Sequence, residues 1–296
     1  MTAVSKTLTL HAVRTGRNLF GVCEELRRNP AALISGLVVI LYVVMAIFAP
    51  WVAPFQPNES DLTQRLLPPD SRHWFGTDAL GRDILSRTIY GARVSILVGL
   101  LSVGLCVLFG VSLGLVAGYY RGWLDTVLSR FSELLMAFPY LISAIGMMAF
   151  LGPGFWNLVW ALALRGWVEF FRMARGETFS QATREYVEAA RSLGQPGLRI
   201  MLSEILPNIT ASVIVLATLR VGFLIVLEAS LSFLGVGVPP TIPAWGSMIS
   251  EGRNVLFIAW WVSTIPGLVL VALVLAINLL GEGLREVLDP RLKLQT

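Results

Sequence analysis

The sequence is poor in the residues that enzymes use for catalysis and cofactor binding. Among 296 residues there are two cysteines, two histidines and two lysines, and only 14% of the residues are charged. A phosphate-binding loop needs a lysine directly after a glycine, and neither Lys6 nor Lys293 follows one. Cys23 and Cys106 match no metal-binding spacing. The sequence therefore predicts a chain with no catalytic site, no metal and no cofactor of its own.

One short stretch has the spacing of a catalytic motif. Gly110-Val-Ser-Leu-Gly114 matches the elbow that carries the nucleophile of serine hydrolases. That elbow needs a turn between a strand and a helix, with a histidine within reach of the serine. Here the stretch lies inside a long apolar run, whereas His11 and His73 lie outside the apolar runs. We therefore exclude an intramembrane hydrolase.

Apolar residues are abundant and are arranged in long runs. They make up 55% of the chain, and the mean hydropathy is +0.70. A membrane-spanning helix needs roughly 20 apolar residues. Windows with few or no charges cover 31–49, 94–118, 134–164, 205–233 and 254–281. The third is too long for one crossing, and Gly152-Pro153-Gly154 divides it in two. The fold class predicted is an all-α polytopic membrane protein with six transmembrane helices.

The distribution of basic residues predicts the orientation. With the N-terminus inside, most arginines lie on the cytoplasmic side, and those outside share a long loop with acidic residues. Both termini are thus predicted to be cytoplasmic, and nucleic-acid binding is not expected because the basic residues form no continuous face. The predicted parts are a cytoplasmic tail with an interfacial helix (1–30), the first span (31–50), an external loop (51–92), a five-span core (93–282) and a cytoplasmic tail (283–296).

Two segments of this layout have a second interpretation. The apolar repeat between residues 19 and 26 is typical of a helix lying in the membrane interface, but a basic tail that only orients the first span is an alternative. In the second span small residues recur every four positions, at Ser102, Cys106, Gly110, Gly114 and Gly118. Such a stripe lets another helix approach closely, either inside the subunit or in a partner.

Between the fourth and fifth spans lies a polar segment with helical periodicity. Tyr186, Ala190 and Leu193 fall on one face of a helix, and Glu188 can pair with Arg184 and Arg191 on another. Gly194-Gln-Pro-Gly197 then predicts a turn before a second short helix. The segment is either an inert connector or a docking helix. If transport is driven by ATP, hydrolysis takes place on another polypeptide.

Several motifs resemble those of a known family. Glu188-Ala189-Ala190, Gly194 and Leu206-Pro207 resemble the "EAA" loop of binding-protein-dependent ABC importer permeases, with Glu204 where that pattern has isoleucine. Further similar stretches lie at 75–87, 231–246 and 283–290. Together they resemble the C-type membrane subunit of the dipeptide and oligopeptide (peptide/nickel/opine) group.

The resemblance implies a type I ABC importer permease fold in the bacterial cytoplasmic (inner) membrane. It implies a homologous B-type permease partner, two ATPase subunits that bind ATP and Mg²⁺, and an external substrate-binding protein. The loop 176–207 would couple to the ATPases through Tyr186, Glu188, Ala189, Ala190, Gly194, Leu206 and Pro207. The residues expected to face the binding protein are Asp78, Arg82, Asp83, Pro240 and Trp245. For the first three, a surface helix with Asp78–Arg82 and Asp83–Arg87 pairs is the alternative.

Five charged residues lie within or at the ends of the predicted spans: Glu133, Arg165, Glu169, Arg220 and Glu228. Each costs about 2.5–3.5 kcal/mol at mid-bilayer, so they are expected to face protein, water or one another. Arg165 and Glu169 are one turn apart and could neutralise each other. Otherwise the five are hypothesised to line a translocation pathway in which Arg165 or Arg220 attracts a substrate carboxylate.

The function predicted is that of a permease subunit of an ATP-driven importer. An ion-coupled secondary transporter with Glu133 or Glu228 as proton site is the alternative, although the two halves show no repeat. A purely structural or receptor-like protein leaves the charges inside the spans unexplained. Short peptides are the foremost substrate class, while nickel chelates, glutathione and opine-like conjugates remain open.

Overall fold

The computed structural model describes residues 29–288. The predicted interfacial helix between residues 19 and 26 and the tail 289–296 lie outside these residues. The helices are α1 Pro30–Ile47, α2 Ala49–Val52, α3 Ile84–Tyr120, α4 Gly122–Met136, α5 Tyr140–Leu151, α6 Phe155–Gln181, α7 Glu185–Ser192, α8 Gly197–Arg199, α9 Leu206–Phe233, α10 Trp245–Arg253 and α11 Trp261–Leu288. A 3₁₀ turn covers Leu62–Gln64, and a π-helical stretch, Ile200–Ile205, leads into α9.

Local sequence signals set the helix ends. Asn29 caps α1, because its side-chain oxygen accepts hydrogen bonds from the backbone N–H groups of Ala31 and Ala32. Asp83 caps α3 in the same way through the N–H of Ser86. The break at Gly152-Pro153-Gly154 lies where the sequence predicts it, between the end of α5 and the start of α6. The apolar runs of the sequence therefore become long helices with defined ends.

Length and hydropathy support four or five spans in the described residues, fewer than the six predicted. α1, α3, α11 and the continuous segment Gly197–Phe233 qualify individually. The expected third span is not one helix, because α4 and α5 meet at 90° and count as a span only together. The 12 residues of α5 cover about 18 Å, too little for a hydrocarbon core of roughly 30 Å. α6 has 27 residues and is long enough, but its charges exclude it on composition.

The small-residue stripe of α3 packs inside the subunit, against α6. Ser102 donates a hydrogen bond to the carbonyl oxygen of Val159, and the Cys106 thiol contacts that of Ala163, each partner lying 57 positions further on. Gly110 and Gly114 face the carbonyl oxygens of Trp167 and Phe171, at the same offset. A constant offset means that α3 and α6 run parallel. The chain between them must therefore return across the bundle, and α4 with α5 makes that return.

The contacts of α9 show the opposite direction. Ser95 of α3 bonds Glu228 of α9, and Gly99 of α3 lies against Ile225. The residue number of the contacting residue on α9 decreases as that on α3 increases, so the two helices are antiparallel. The same test makes α11 antiparallel to α9, because Gly222 lies against Asn278 while Leu219 lies against Gly281.

α1 is antiparallel to α11, which brings both ends of the described chain to one face. The side-chain amide of Asn29 donates to the carboxylate of Glu286, and the Tyr42 hydroxyl donates to the carbonyl oxygen of Val269. We call the face with Asn29 and Glu286 the terminal face and the opposite one, which carries residues 53–83, the loop face. The directions of α1, α3, the α4–α5 pair, α6, α9 and α11 alternate, so consecutive segments run between the two faces in opposite directions.

Candidate coupling and translocation sites

The connection between α6 and α9, residues 182–205, lies at the terminal face. Within α7 the side chains of Val187 and Ala190 are buried, whereas Glu188 and Ala189 are exposed. The predicted grouping of Tyr186, Ala190 and Leu193 on one face is only partly right. Leu193 is 81% exposed, because α7 ends at Ser192 and Leu193 is its C-cap. The connection therefore has an inner face held by the bundle and an outer face that residues 29–288 leave exposed.

Gly194 ends α7 through a complete Schellman motif. Its φ of 75° lies in the left-handed region that glycine adopts without strain. The N–H of Gly194 donates to the carbonyl oxygen of Arg191, and that of Gln195 donates to the carbonyl oxygen of Ala190. The predicted turn after α7 is thus present, and it reverses the chain toward α8.

The inner face is held at the ends of three long helices. The Tyr186 hydroxyl donates to the side-chain oxygen of Gln181 at the end of α6, and Asn208 at the start of α9 donates to that hydroxyl. Burial raises the pKa of the Tyr186 phenol, so it remains a donor at neutral pH. Arg191 bonds the hydroxyl of Tyr119 at the end of α3 and stacks over its ring at 4.8 Å.

The predicted pairing of Glu188 with Arg184 and Arg191 is wrong. Arg191 turns to Tyr119, and no ion pair of Glu188 occurs among residues 29–288. The Glu188 carboxylate is instead available on the outer face. There it is accompanied by exposed leucines at 193, 198 and 202, the last two of which line a shallow concavity with Pro196 and Ser203. Leu206 and Pro207 follow at the start of α9, half-buried and exposed respectively.

A cluster of charged and aromatic side chains lies between α5, α6 and α9. Glu169 forms an ion pair with Arg220 of α9, so the predicted neutralisation of Glu169 by Arg165 is wrong. Arg220 also lies over the ring of Phe223, and Phe223 meets Tyr140 edge-on at 5.5 Å between ring centres. We call these four residues, together with Arg165, the arginine cluster.

Arg165 is the member of the arginine cluster that has no ion-pair partner among residues 29–288. Only 8% exposed, it lies over the Tyr140 ring at 5.4 Å. Its Nε and Nη1 atoms are buried and have no hydrogen-bond partner among the described residues. The Tyr140 hydroxyl is already committed to the carbonyl oxygen of Leu162. Arg165 is ten residues into α6, about 15 Å from its start at the loop face, which places the cluster near mid-membrane.

The other two predicted pathway residues lie apart from the arginine cluster. Glu133 is exposed on α4 and pairs with Arg130 at 2.9 Å. Glu228 is fully buried and accepts hydrogen bonds from the hydroxyls of Ser95 and Ser232, at 2.6 and 2.8 Å. The structure thus brings together three of the five charged residues, and Glu228 joins α9 to α3 instead.

Four residues form a second charged cluster at the loop face. Arg82 pairs with Asp78 at 2.6 Å and with Glu251 of α10 at 2.7 Å. Arg87 approaches the same two carboxylates at 3.7 and 3.4 Å. We call Asp78, Arg82, Arg87 and Glu251 the loop-face ion cluster. It ties the external loop and the start of α3 to α10.

The structure places four of the five residues expected to face a binding protein in the interior of the described chain. Asp78, Arg82 and Asp83 are buried within the chain, and so is Trp245, whose indole N–H donates to the carbonyl oxygen of Thr88. Only Pro240 is exposed. The alternative of a surface helix is wrong too, because the charges are internal.

Two residues of this region, His73 and Glu251, have partners that the sequence did not predict. Asp83 caps α3 and forms a hydrogen bond with His73, instead of pairing with Arg87 as predicted. Glu251 pairs with both arginines of the loop-face ion cluster. Spacing along the chain gave no signal for Glu251, because it lies 164 residues after Arg87.

The fold and these sites define a polytopic α-helical membrane protein with a structured connection on one face and charges at mid-depth. Comparison with known proteins gives its family. Residues 110–294 match the family described as binding-protein-dependent transport system inner membrane component, and residues 22–69 match the N-terminal transmembrane domain of oligopeptide transport permease C. The chain belongs to this family of transport permeases, which are transport components and not catalytic subunits.

Similar proteins span nearly the whole chain. The dipeptide transport system permease protein DppC of Alkalihalophilus pseudofirmus is 39% identical over 91% of this chain and 89% of its own length. The di/tripeptide permease DppC of Pseudomonas aeruginosa is 42% identical over 91% of both chains. The glutathione permease GsiD of Escherichia coli O157:H7 is 43% identical over 91% of this chain and 89% of its own length.

Proposed function

We propose that this chain is one of two permease subunits of an ATP-driven importer of short peptides in the bacterial inner membrane. A B-type permease forms the other half of the pathway, two ATPase subunits bind ATP and Mg²⁺, and an external binding protein delivers the substrate. The names of the relatives support the substrate class. Dipeptides, tripeptides and glutathione share a short peptide framework with free carboxylates.

One observation carries the proposal: the α6–α9 connection has an outer face that no other part of the described chain covers. Val187, Ala190 and Tyr186 hold it to the bundle, while Glu188 and Ala189 are exposed. We assign the terminal face to the cytoplasm, because arginines such as Arg184, Arg191 and Arg199 collect there. A small, rigid helix at that position is suited to seat in a groove of an ATPase and to transmit its movement.

The ion-coupled alternative has less support. A proton site needs an intramembrane carboxylate that exchanges protons with the pathway. Glu133 is exposed on α4 and paired with Arg130, and Glu228 is enclosed between two serine hydroxyls. The position of neither residue favours this function.

The test is charge reversal on the outer face of α7. In Glu188→Arg we expect the ATPase subunits to be lost from the purified complex, with at least tenfold lower uptake, because the substitution places a long cation where a close helix contact is proposed. Copurification of the tagged permease with its ATPase subunits measures this directly. The control Glu282→Arg makes the same charge change near the terminal end of α11, at an exposed position. If both variants retain the ATPase subunits equally, the outer face of α7 is not the docking surface.

A further inference from the structure

We infer that Arg165 binds the carboxylate of the transported peptide as it passes the middle of the membrane. This inference rests on the proposed function and assigns one contact within the pathway. The arginine cluster contains two cations, Arg165 and Arg220, and one anion, Glu169. Glu169 neutralises Arg220, and no carboxylate in the described chain pairs with Arg165. One positive charge therefore remains at a depth where an unpaired charge is costly.

The orientation of Arg165 prepares it for an anion. The Arg165 guanidinium carbon lies over the Tyr140 ring at 5.4 Å from its centre, and this cation–π contact leaves the N–H groups free to donate. The buried Nε and Nη1 atoms have no acceptor within residues 29–288. A guanidinium forms its strongest hydrogen bonds with a carboxylate, often through two parallel bonds. The C-terminal carboxylate of a peptide is the anion that every substrate of the proposed class carries.

Arg165 is enclosed in this conformation, so a substrate reaches it only after the helices around it move. Tyr140, which covers it, is the first residue of α5 and directly follows the 90° bend between α4 and α5. A change in this bend would move the ring away from the guanidinium. Such a rearrangement is expected of a transporter that alternates between outward- and inward-facing states.

A carboxylate of the second permease fits the observations less well. A residue that a permanent partner neutralises would be exposed on the isolated chain. The side chains of Arg220 and Glu169 are partly exposed and pair with each other, whereas Arg165 is buried. A ligand that enters only during the transport cycle matches a cation that is closed off at rest.

The experiment uses the complete complex of both permeases and both ATPase subunits in proteoliposomes, with its binding protein and radiolabelled trialanine as probe. It measures peptide taken up per ATP hydrolysed. In Arg165→Gln this ratio should fall about tenfold or more, the factor that one hydrogen bond to a charged group is worth. Arg165→Lys keeps the charge but not the two parallel donors, so it should restore the ratio in part. Arg172→Gln, at an exposed position on the same helix, should match the wild type.

The outcomes are distinct. An unchanged ratio in Arg165→Gln overturns the inference, and so does an Arg165→Lys variant as poor as Arg165→Gln, because stacking would then matter and charge would not. Loss of the second permease from the Arg165→Gln complex also overturns it, since the partner would then be a protein carboxylate. Arg165→Met, which keeps an unbranched apolar stem but removes the charge and the N–H donors, serves if the glutamine variant is poorly produced. A wild-type complex that hydrolyses ATP without trialanine uptake removes the peptide assignment and this inference with it. A complex that lacks ATPase subunits removes the proposed function itself.

Discussion

Replacement of Gly110 by leucine is expected to abolish the accumulation of folded protein. A Cβ atom at this position would lie 2.5 Å from both the Cβ of Phe170 and the carbonyl oxygen of Trp167. Neither atom can move without shifting α6, so the leucine forces α3 and α6 apart along their whole contact. The cost lies at or above the upper end of the about 1–3 kcal/mol typical of overpacking. Size-exclusion chromatography of detergent-extracted protein measures the folded fraction.

Gly104 of the same helix provides the matched control. A Cβ there meets nothing within 4 Å, and the residue is exposed. Gly104→Leu should therefore accumulate like the wild type, and the gain in helix propensity should even favour it slightly. Equal accumulation of the two leucine variants would show that α3 and α6 do not pack through the small-residue stripe.

The second large effect is expected from Asp78→Asn in the loop-face ion cluster. The Asp78 carboxylate accepts hydrogen bonds from the backbone N–H groups of Leu80 and Arg82 and from the Arg82 guanidinium. An asparagine would present two arginines with an uncharged amide and leave Glu251 as their one carboxylate in the cluster. Removal of one partner from a buried ion cluster costs about 3–5 kcal/mol. The midpoint temperature of thermal unfolding should therefore fall. It can be measured in a Cys23→Ser background by labelling of the Cys106 thiol, which is buried in the folded chain and becomes accessible on unfolding.

Glu59→Gln makes the equivalent change on the same external loop, at an exposed position. It should leave the midpoint unchanged, because an exposed carboxylate contributes little to stability. A midpoint for Asp78→Asn as high as that of Glu59→Gln would mean that the cluster is solvated and contributes nothing to the fold.

The helices and their approximate limits could be predicted because lipid imposes simple rules. Long apolar runs, the break at Gly152-Pro153-Gly154 and the turn at Gly194 all follow from local chemistry, and each is present in the structure. The third span was mispredicted because hydropathy records which residues are apolar and not whether they form one straight helix. The bend before Tyr140 falls inside the window 134–164, where apolar content hides it.

Contacts between distant segments could not be predicted. The stripe from Ser102 to Gly118 predicts that another helix packs closely against α3. Only the contacts in the folded chain, with residues 57 positions further on, identify that helix as α6. For the same reason Glu169 was assigned to Arg165, its neighbour in sequence, while its partner is Arg220 on α9. Asp78 and Arg82 were assigned to the surface because charged residues in a loop usually lie there. Glu251, which makes their burial possible, becomes adjacent only in the folded chain.

The length of α3 has a mechanical consequence. Its 37 residues, Ile84–Tyr120, cover about 55 Å without interruption. Arg87 of the loop-face ion cluster lies near one end, and Tyr119, which contacts Arg191, lies near the other. α6 packs closely against α3 through the small-residue stripe, so we expect the two helices to move as one rigid unit. A force applied to α7 would therefore be transmitted through α3 to the loop face, because no break interrupts this helix. The 90° bend between α4 and α5, which Tyr140 directly follows, is where we expect the subunit to change its angle when α3 and α6 tilt.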